Sequence, residues 1–330
     1  MKTASLSNHS YSYGIGIDVG KEEMVASCRS SLNGLRGFNQ ISFPNNSIGF
    51  NRFIDHINKA KLPTDTPILL ESTGPYHWQI ANFLTKQGFD AKVVNPLHTR
   101  QAIRYSIRKR KTDKVDADHL AMLAYQNYGY AFRDTKELAT LKALIRHHWY
   151  LKTSKTNNLR HENYLKDYRQ IKKYGVSNII DKQLKILEKK IVESFQKGND
   201  LHYVDSIPGV TPIIAATILV ELYPLDRFRR VEQIIALAGL DPQVKQSGGK
   251  VARYGKLSKR GSITLRRVLF QAAFGAFSRQ PFAQLYRKYK NRGLHHTAIL
   301  NIIARKILKI SWYLLRKREI FKVQYMKSDT

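Results

Sequence analysis

The sequence predicts an α/β domain followed by two mainly helical regions, and three observations carry that prediction. Up to about residue 130, short apolar strand-like runs alternate with amphipathic helical spacing. From 136 to 198 the apolar residues recur at helical spacing alone. From 203 to 330 helical spacing continues, and Lys and Arg dominate the polar positions. With 330 residues, the chain can bury a large core in about two or three domains. The composition shifts set their expected limits at 13–132, 136–198 and 203–330.

The elements of the first region follow in order. Gly14–Val19, Met24–Ser30 and Leu35–Ser42 read as three consecutive strands with turn residues such as Asn33-Gly34 between them. Ile48–Ala60 has helical spacing through Phe50, Phe53, Ile54 and Ile57. Ile68–Glu71 is a buried strand. Tyr76–Gln87 is an amphipathic helix stopped by Gly88, and Ala91–Val94 is a strand ended by Asn95-Pro96. A helical stretch begins within Lys111–Ala117. The order βββαβαβα is that of the ribonuclease H-like fold, whose acids sit on the first strand, the fourth strand and a late helix.

In the second region, Leu138, Leu141, Leu144 and Ile145 keep helical periodicity, as do Ile179, Ile180, Leu184, Leu187 and Ile191. Gly175-Val176-Ser177-Asn178 separates the two stretches. This predicts a helical hairpin or coiled coil, a module for association or spacing, with a helical segment packed on its own domain as the alternative. In the third region, Ile207-Pro208-Gly209-Val210-Thr211-Pro212 before Ile213–Leu222 resembles a helix-hairpin-helix, which turns backbone N–H groups toward a phosphate. Val231–Ala238 is a short helix ended by Gly239. Asp241–Lys250 reads as a polar, flexible loop. Leu265–Phe277 and Thr297–Arg316 are basic amphipathic helices.

Charge narrows the function. The net charge is +31, which calls for a polyanionic partner. Val251–Thr330 carries nineteen Lys or Arg against two acids, Glu319 and Asp329. A second basic block, Arg100–Lys114, runs into the helix that begins near Asp113. Within this basic chain four carboxylates are singled out: Asp18 at a strand end, Glu71 after four apolar residues, and Asp113 and Asp116 at a helix start. The i, i+3 spacing of the last two puts them on one helix face. Asp113 also suits a helix cap, whereas Glu71 beside a buried strand needs a partner. Asp118, two positions beyond Asp116 at about 100° each, points away and is left out. Together the acids suggest a divalent-metal site for phosphodiester chemistry.

Ser247 is the candidate nucleophile. Gly248 and Gly249 let backbone approach a phosphate, and Lys245, Lys250, Arg253 and Lys256 surround it with positive charge. No His/Asp triad lies nearby, so a protease-like role is poorly supported. A serine attacking a phosphodiester needs a base and charge neutralisation, which metal ions supply. The pairs His147-His148 and His295-His296 are adjacent and cannot share a helix face. Tyr164, Tyr168, Tyr174, Arg160 and Arg169 suit base stacking or phosphate contact as well as packing. One cysteine, Cys28, excludes an internal disulfide and suits a reducing cytoplasm. The segment Met1–Tyr13 lacks a signal-peptide core, and no run approaches the ~18–20 apolar residues of a membrane span.

These motifs resemble a known family. Gly16-Ile-Asp-Val-Gly-Lys21, Glu71-Ser72-Thr73-Gly74 and Lys111-Thr112-Asp113 with Asp116-Ala117 resemble the DEDD domain of bacterial insertion-sequence transposases related to the Piv DNA invertases. Ile207-Pro208-Gly209-Val210, Ala238-Gly239-Leu240 with Pro242, Ser247-Gly248 and Ser258-Lys259-Arg260-Gly261 resemble that family's C-terminal transposase domain. The resemblance implies a RuvC-like N-terminal domain holding Mg²⁺ on Asp18, Glu71, Asp113 and Asp116, with Ser247 transiently linked to DNA. It further implies a site shared between protomers of a dimer or tetramer, and a noncoding bridge RNA that pairs with donor and target DNA. The expected protein is a bacterial, cytoplasmic, nucleoid-associated recombinase with no membrane partner. The alternative is a Holliday-junction-type nuclease that uses water and leaves Ser247 inert. A binding protein without catalysis would make the acids structural.

Overall fold

The computed structural model describes residues 11–32, 36–72, 76–94, 99, 113–133, 135–164, 176–195, 200–245 and 253–326. It divides into two compact units, Met1–Thr135 and Lys136–Thr330.

The first unit is a six-stranded mixed sheet with helices. Its strands are β1 (Tyr13–Val19), β2 (Glu23–Ser30), β3 (Arg36–Pro44), β4 (Ile68–Glu71), β5 (Ala91–Val94) and β6 (Tyr130–Ala131), in the order β3-β2-β1-β4-β5-β6. β1 pairs antiparallel with β2 and parallel with β4; β4 and β5 are parallel. The alternation of β1 decides what covers each face. Ile15, Ile17 and Val19 point to one side, into a core with Phe43, Phe53, Ile57, Ile80 and Leu84. That side is covered by α1 (Ser47–Lys59) and α2 (His77–Lys86), whose buried residues include Phe50, Phe53 and Ile57, and Ile80, Ala81 and Leu84. Asn46 caps α1 by accepting from the Gly49 N–H at 3.0 Å. Cys28 lies in the same core, and burial pushes its thiol up to about 12 despite a backbone hydrogen bond at Gly37.

Gly14 and Gly16 point to the other side, where α3 (Asp113–Tyr125) lies directly on the strand. A Cβ on Gly16 would stand 2.2 Å from the Ala121 nitrogen and 2.3 Å from the Ala117 oxygen. A Cβ on Gly14 would stand 2.4 Å from the Ala121 oxygen. Two glycines on the strand and Ala117, Ala121 and Ala124 on the helix therefore bring two backbones into contact. The sequence shows the helix but not this seat. It also does not show β6, a two-residue strand on the sheet edge.

The second unit is helical. It comprises α4 (Lys136–Tyr164), α5 (Ser177–Ser194), α6 (Asp200–Asp205), α7 (Pro212–Leu222), α8 (Val231–Ala238), a hairpin of β7 (Pro242–Lys245) and β8 (Arg253–Leu257), then α9 (Ile263–Ala276), α10 (Phe282–Lys290) and α11 (His296–Lys317). α7 is buried almost all round and forms the centre of the core with Leu269, Ala272, Ile303 and Ile307. Much of the apolar face of α4 and the end of α5 belong to this same core: Leu141, Ile145, Trp149 and Ile191 are part of it. The Trp149 indole donates to Thr217 Oγ1 of α7 at 3.1 Å. α4 and α5 are joined by Lys155 to Asp181 at 2.6 Å and by buried His148 to Glu188 at 2.8 Å. The turn before α7 carries Gly209 at φ +88, where a Cβ would stand 2.5 Å from the Ala276 nitrogen of α9. Among the described residues, no helix is long and apolar enough to cross a membrane.

Candidate active site

The register of the first unit sets Asp18 and Glu71 at the same end of the sheet. Gly16 pairs with Leu69 and Ile17 with Leu70 across the parallel β1–β4 ladder. One further step sets Asp18 beside Glu71. Both lie two residues beyond Gly16 and Leu69, so both share the face that carries α3. α3 runs from Ala117 over Gly16 to Tyr125 beside Gly14. Its N-terminus therefore reaches the C-terminal ends of β1 and β4.

Three lanes along α3 then place its acids. Asp113, Ala117 and Ala121 are spaced by four, and Ala117 and Ala121 lie over β1. Asp113 thus opens the lane that continues toward Asp18; its side chain lies outside the described residues. Asp116 is one turn before Leu120, which packs with Leu69 and Val94 of β4 and β5. That lane continues toward Glu71. Asp118 stands on the opposite flank, over β2 and β3. Ser27 and Arg29 donate to its carboxylate, Gln40 Nε2 donates at 3.0 Å, and Arg36 stands at 3.5 Å. Burial works against ionisation of Asp118, but Arg29, Ser27 and Arg36 outweigh it and hold the carboxyl below its usual range.

Glu71 is half-buried, and its Oε1 accepts from Thr99 Oγ1 at 2.7 Å. Ser72 fixes the strand end: its N–H and its hydroxyl both donate to the Val94 carbonyl, at 2.9 and 3.1 Å. Asp18 and Asp116 are also half-buried. Among the described residues, no group of three or more His, Cys, Asp or Glu side chains is close enough to hold a metal. The chemistry of the donors still suits one cation class. All four candidate donors are carboxylates, and hard divalent ions take oxygen.

Ser247 with its neighbours Gly248, Gly249 and Lys250 lies outside the described residues, as do Thr73, Gly74, the Asn33-Gly34 turn, Asn95-Pro96 and nearly all of Arg100–Lys114. Tyr168, Arg169 and Tyr174 lie outside them too. The segment carrying Ser247 joins β7 to β8, and the base of that hairpin is described. Part of the predicted flexible loop is thus a strand: Pro242 pairs with Leu257, Val244 with Tyr254 and Lys245 with Arg253. Ser258 Oγ donates to Asp241 Oδ1 at 2.6 Å, and the Ser258 N–H donates to the Asp241 carbonyl at 2.8 Å. The end of α8 braces the same place. Gly239 is left-handed at φ +62, its carbonyl accepts from the Lys259 N–H at 3.1 Å, and Arg266 donates to the Ala238 carbonyl at 3.0 Å. A Cβ on Gly261 would meet the Leu237 oxygen at 2.0 Å. The motifs Ala238-Gly239-Leu240 and Ser258–Gly261 are therefore two halves of one clamp under the hairpin.

The histidine pairs divide as adjacent helical residues must. His147 is exposed beside Tyr150, while His148 is buried against Glu188. His295 caps α11, and His296 Nδ1 meets the Tyr286 hydroxyl at 2.9 Å. Sequence reasoning missed Thr99 and the role of Asp118. Neither carries a local signal, because their partners come from distant segments.

Comparison with known proteins gives two matches, the first of which runs beyond the first unit into α4. Residues 15–169 match the DEDD transposase domain of IS110-type elements, and residues 201–289 match the transposase family IS116/IS110/IS902. A pilin gene-inverting protein of Moraxella lacunata is 26% identical over 319 residues, covering 93% of this chain and 97% of that protein. The transposase of insertion sequence element IS1111A from Coxiella burnetii is 28% identical over 141 residues, 41% of this chain and 38% of that one. An insertion element IS116 protein of Streptomyces clavuligerus is 27% identical over 143 residues, 43% of this chain and 36% of that one. The DEDD domain points to dependence on a divalent metal. With both domain matches in order along one chain and the Moraxella relative aligned over nearly all of it, the chain belongs to the IS110/IS116 family of insertion-element transposases and related DNA invertases, enzymes of DNA recombination.

Proposed function

We propose that the chain is an RNA-guided, site-specific recombinase of a mobile insertion sequence, with a ribonuclease H-like (RuvC-like) acid domain and a serine-bearing transposase domain. The observation that carries the reading is the convergence of Asp18, Glu71 and the N-terminus of α3 at one end of the sheet, seated by Gly14 and Gly16. The sheet order β3-β2-β1-β4-β5 with antiparallel β1–β3 and parallel β1, β4 and β5 supports the ribonuclease H-like reading. Asp18, Glu71, Asp113 and Asp116 would hold Mg²⁺, which when bound supplies Lewis-acid neutralisation of a phosphodiester. Thr99 orients the Glu71 carboxylate. The basic surface holds the polyanion, and the Asp241–Ser258 clamp fixes the root of the hairpin that presents Ser247. A homo-oligomer and a noncoding guide RNA complete the reading. The name of the Moraxella relatives, gene inversion, supports site-specific exchange over simple cutting.

In the proposed step, Ser247 Oγ forms a bond to the scissile phosphorus as the bond to the leaving deoxyribose oxygen breaks. The hydroxyl proton passes to water, and the leaving oxygen takes one up. The ester keeps the phosphodiester energy, so strands rejoin without ATP. The test is a denaturing gel with labelled element-end DNA, followed by mass spectrometry of any slow band. A DNA-linked peptide containing Ser247, lost in Ser247→Ala with binding retained, is expected. Metal-dependent cleavage that persists in Ser247→Ala, with no adduct in the wild type, would favour the water-using nuclease.

A further inference from the structure

The seat of α3 on β1 fixes distance better than rotation. Gly14 and Gly16 have no side chain, and Ala117, Ala121 and Ala124 bring only methyl groups to the contact. Two backbones held this close cannot approach further, but so smooth a contact does little to stop the helix rolling about its own axis. The roll is set on the flanks. With Ala117 against the strand, Leu120 and Asp116 lie about 60° and 100° to one side around the helix, and Asp118 about 100° to the other.

The two flanks hold differently. Leu120 packs with Leu69 and Val94, an apolar contact without direction. Asp118 is held by directed bonds. Ser27 and Arg29 of β2 donate to its two oxygens, Gln40 of β3 donates to Oδ1 at 3.0 Å, and Arg36 of β3 stands 3.5 Å from Oδ2. Ser27 is fully buried, and the Asp118 side chain keeps only 16% of its surface. Donors from two strands converge on one carboxylate, so α3 turns only by breaking them.

Asp118 is no candidate ligand, because its oxygens are taken on the flank away from Glu71. Its effect passes through the helix. Asp116 is two residues, about 3 Å of rise, from Asp118 on the same 13-residue helix. A roll of about 20° sweeps a carboxylate carried about 6 Å from the helix axis through about 2 Å. Ligand distances to a metal hold to about 0.2 Å, and Mg²⁺ demands near-ideal octahedral geometry. A roll of that size takes Asp116 out of reach of an ion shared with Glu71.

We propose that Asp118 is a positioning residue for the divalent-metal site: its ties to β2 and β3 set the roll of α3 that turns Asp116 toward the flank of Glu71. This role deepens the proposed acid site and rests on it.

The test uses the full chain and Mn²⁺ alone, an ion suited to carboxylates, with binding read from the loss of its free-ion paramagnetic resonance signal. Asp118→Asn keeps the side-chain shape and drops the charge that gathers both guanidinium groups. It should weaken Mn²⁺ binding about 10- to 100-fold, in protein that circular dichroism shows to be folded at the assay temperature. Gln40→Ala leaves both arginine contacts, should weaken binding by a smaller factor, and decides the question where Asp118→Asn does not fold. In an Asp116→Ala background the same substitution should cost less than in the wild type, since a carboxylate it positions is gone. Loss by the same factor in both backgrounds marks a general loosening and overturns the role. Wild-type affinity in folded Asp118→Asn, or in Gln40→Ala where Asp118→Asn does not fold, overturns it too. The acid site is read separately: Mn²⁺ affinity unchanged in both Glu71→Ala and Asp116→Ala refutes that site and this role with it.

Discussion

Asp18 owes its neighbours to residues that have no chemistry of their own. Gly16 is extended strand and has no need of a special φ; what it lacks is a side chain, and α3 occupies that space. Gly16→Ala would drive a Cβ against two backbone atoms of α3, neither of which can swing away as a side chain could. Overpacking of this kind costs about 3 kcal/mol or more. The expected result is a large drop in melting temperature and loss of amide protection along α3. Gly88→Ala is the control: it meets nothing within 4 Å and carries only the cost of φ +86, about 1 kcal/mol. Asp118 acts at the same scale. Its carboxyl is held below the usual range, so its stabilisation is present above about pH 4 and is lost as the pH falls through the lowered folded value. Asp118→Ala should cost about 2–3 kcal/mol in urea unfolding at pH 7, less than a fully buried pair because Arg29 and Arg36 retain some solvent. The gap from the wild type should narrow as the pH falls below about 4; a gap independent of pH would show that packing, not charge, holds α3 over β2.

At the scale of elements, what the sequence reveals depends on whether the signal is local. β1, β2, β4 and β5 are legible because their apolar runs are bounded by turn residues. Asp18 and Glu71 stand out because a charge at the end of such a run is conspicuous, and Asp113 and Asp116 because their i, i+3 spacing at a helix start puts them on one face. β7 reads as part of the Asp241–Lys250 loop because residues such as Gln243 and Lys245 lack apolar alternation; the pairing instead depends on Asp241 meeting Ser258, seventeen positions away. α4 and α5 show a different failure. Their periodicity announces helices correctly but cannot say which partner takes the apolar face, and much of it is taken by the unit's own core. The pairing of these helices includes a titratable contact. Burial lowers the pKa of His148, outweighing the opposing pull of Glu188. The neutral imidazole is therefore the folded form: its stabilisation is full above about pH 6.5 and is lost as the pH falls through the lowered folded value. His148→Gln should flatten the stability profile between about pH 5 and 7. An unchanged slope would place the acid sensitivity elsewhere.

At the scale of the molecule, the cores of two compact units carry one strongly unbalanced charge. A net +31 on 330 residues works against compaction through self-repulsion, and neither core needs it, since the buried residues are overwhelmingly apolar. The excess suits a polyanionic partner, and enzymes of this family act on DNA. Each phosphate neutralised on B-DNA contributes about −0.9 to the slope of log affinity against log salt. If the basic surface engages about 6–10 phosphates, affinity should fall by roughly 10³–10⁵ between about 50 and 200 mM salt. Acid variants test whether this holding is separable from the chemistry. Glu71→Ala and Asp116→Ala remove negative charge, so they should bind duplex DNA at least as tightly as the wild type while losing recombination, and EDTA should reproduce the loss. Filter binding across the salt series, run beside a recombination assay with Mg²⁺, measures both. A slope near zero would remove nucleic acid as the reason for the charge. Recombination near the wild-type level in either variant would sink the assignment of those acids to the metal.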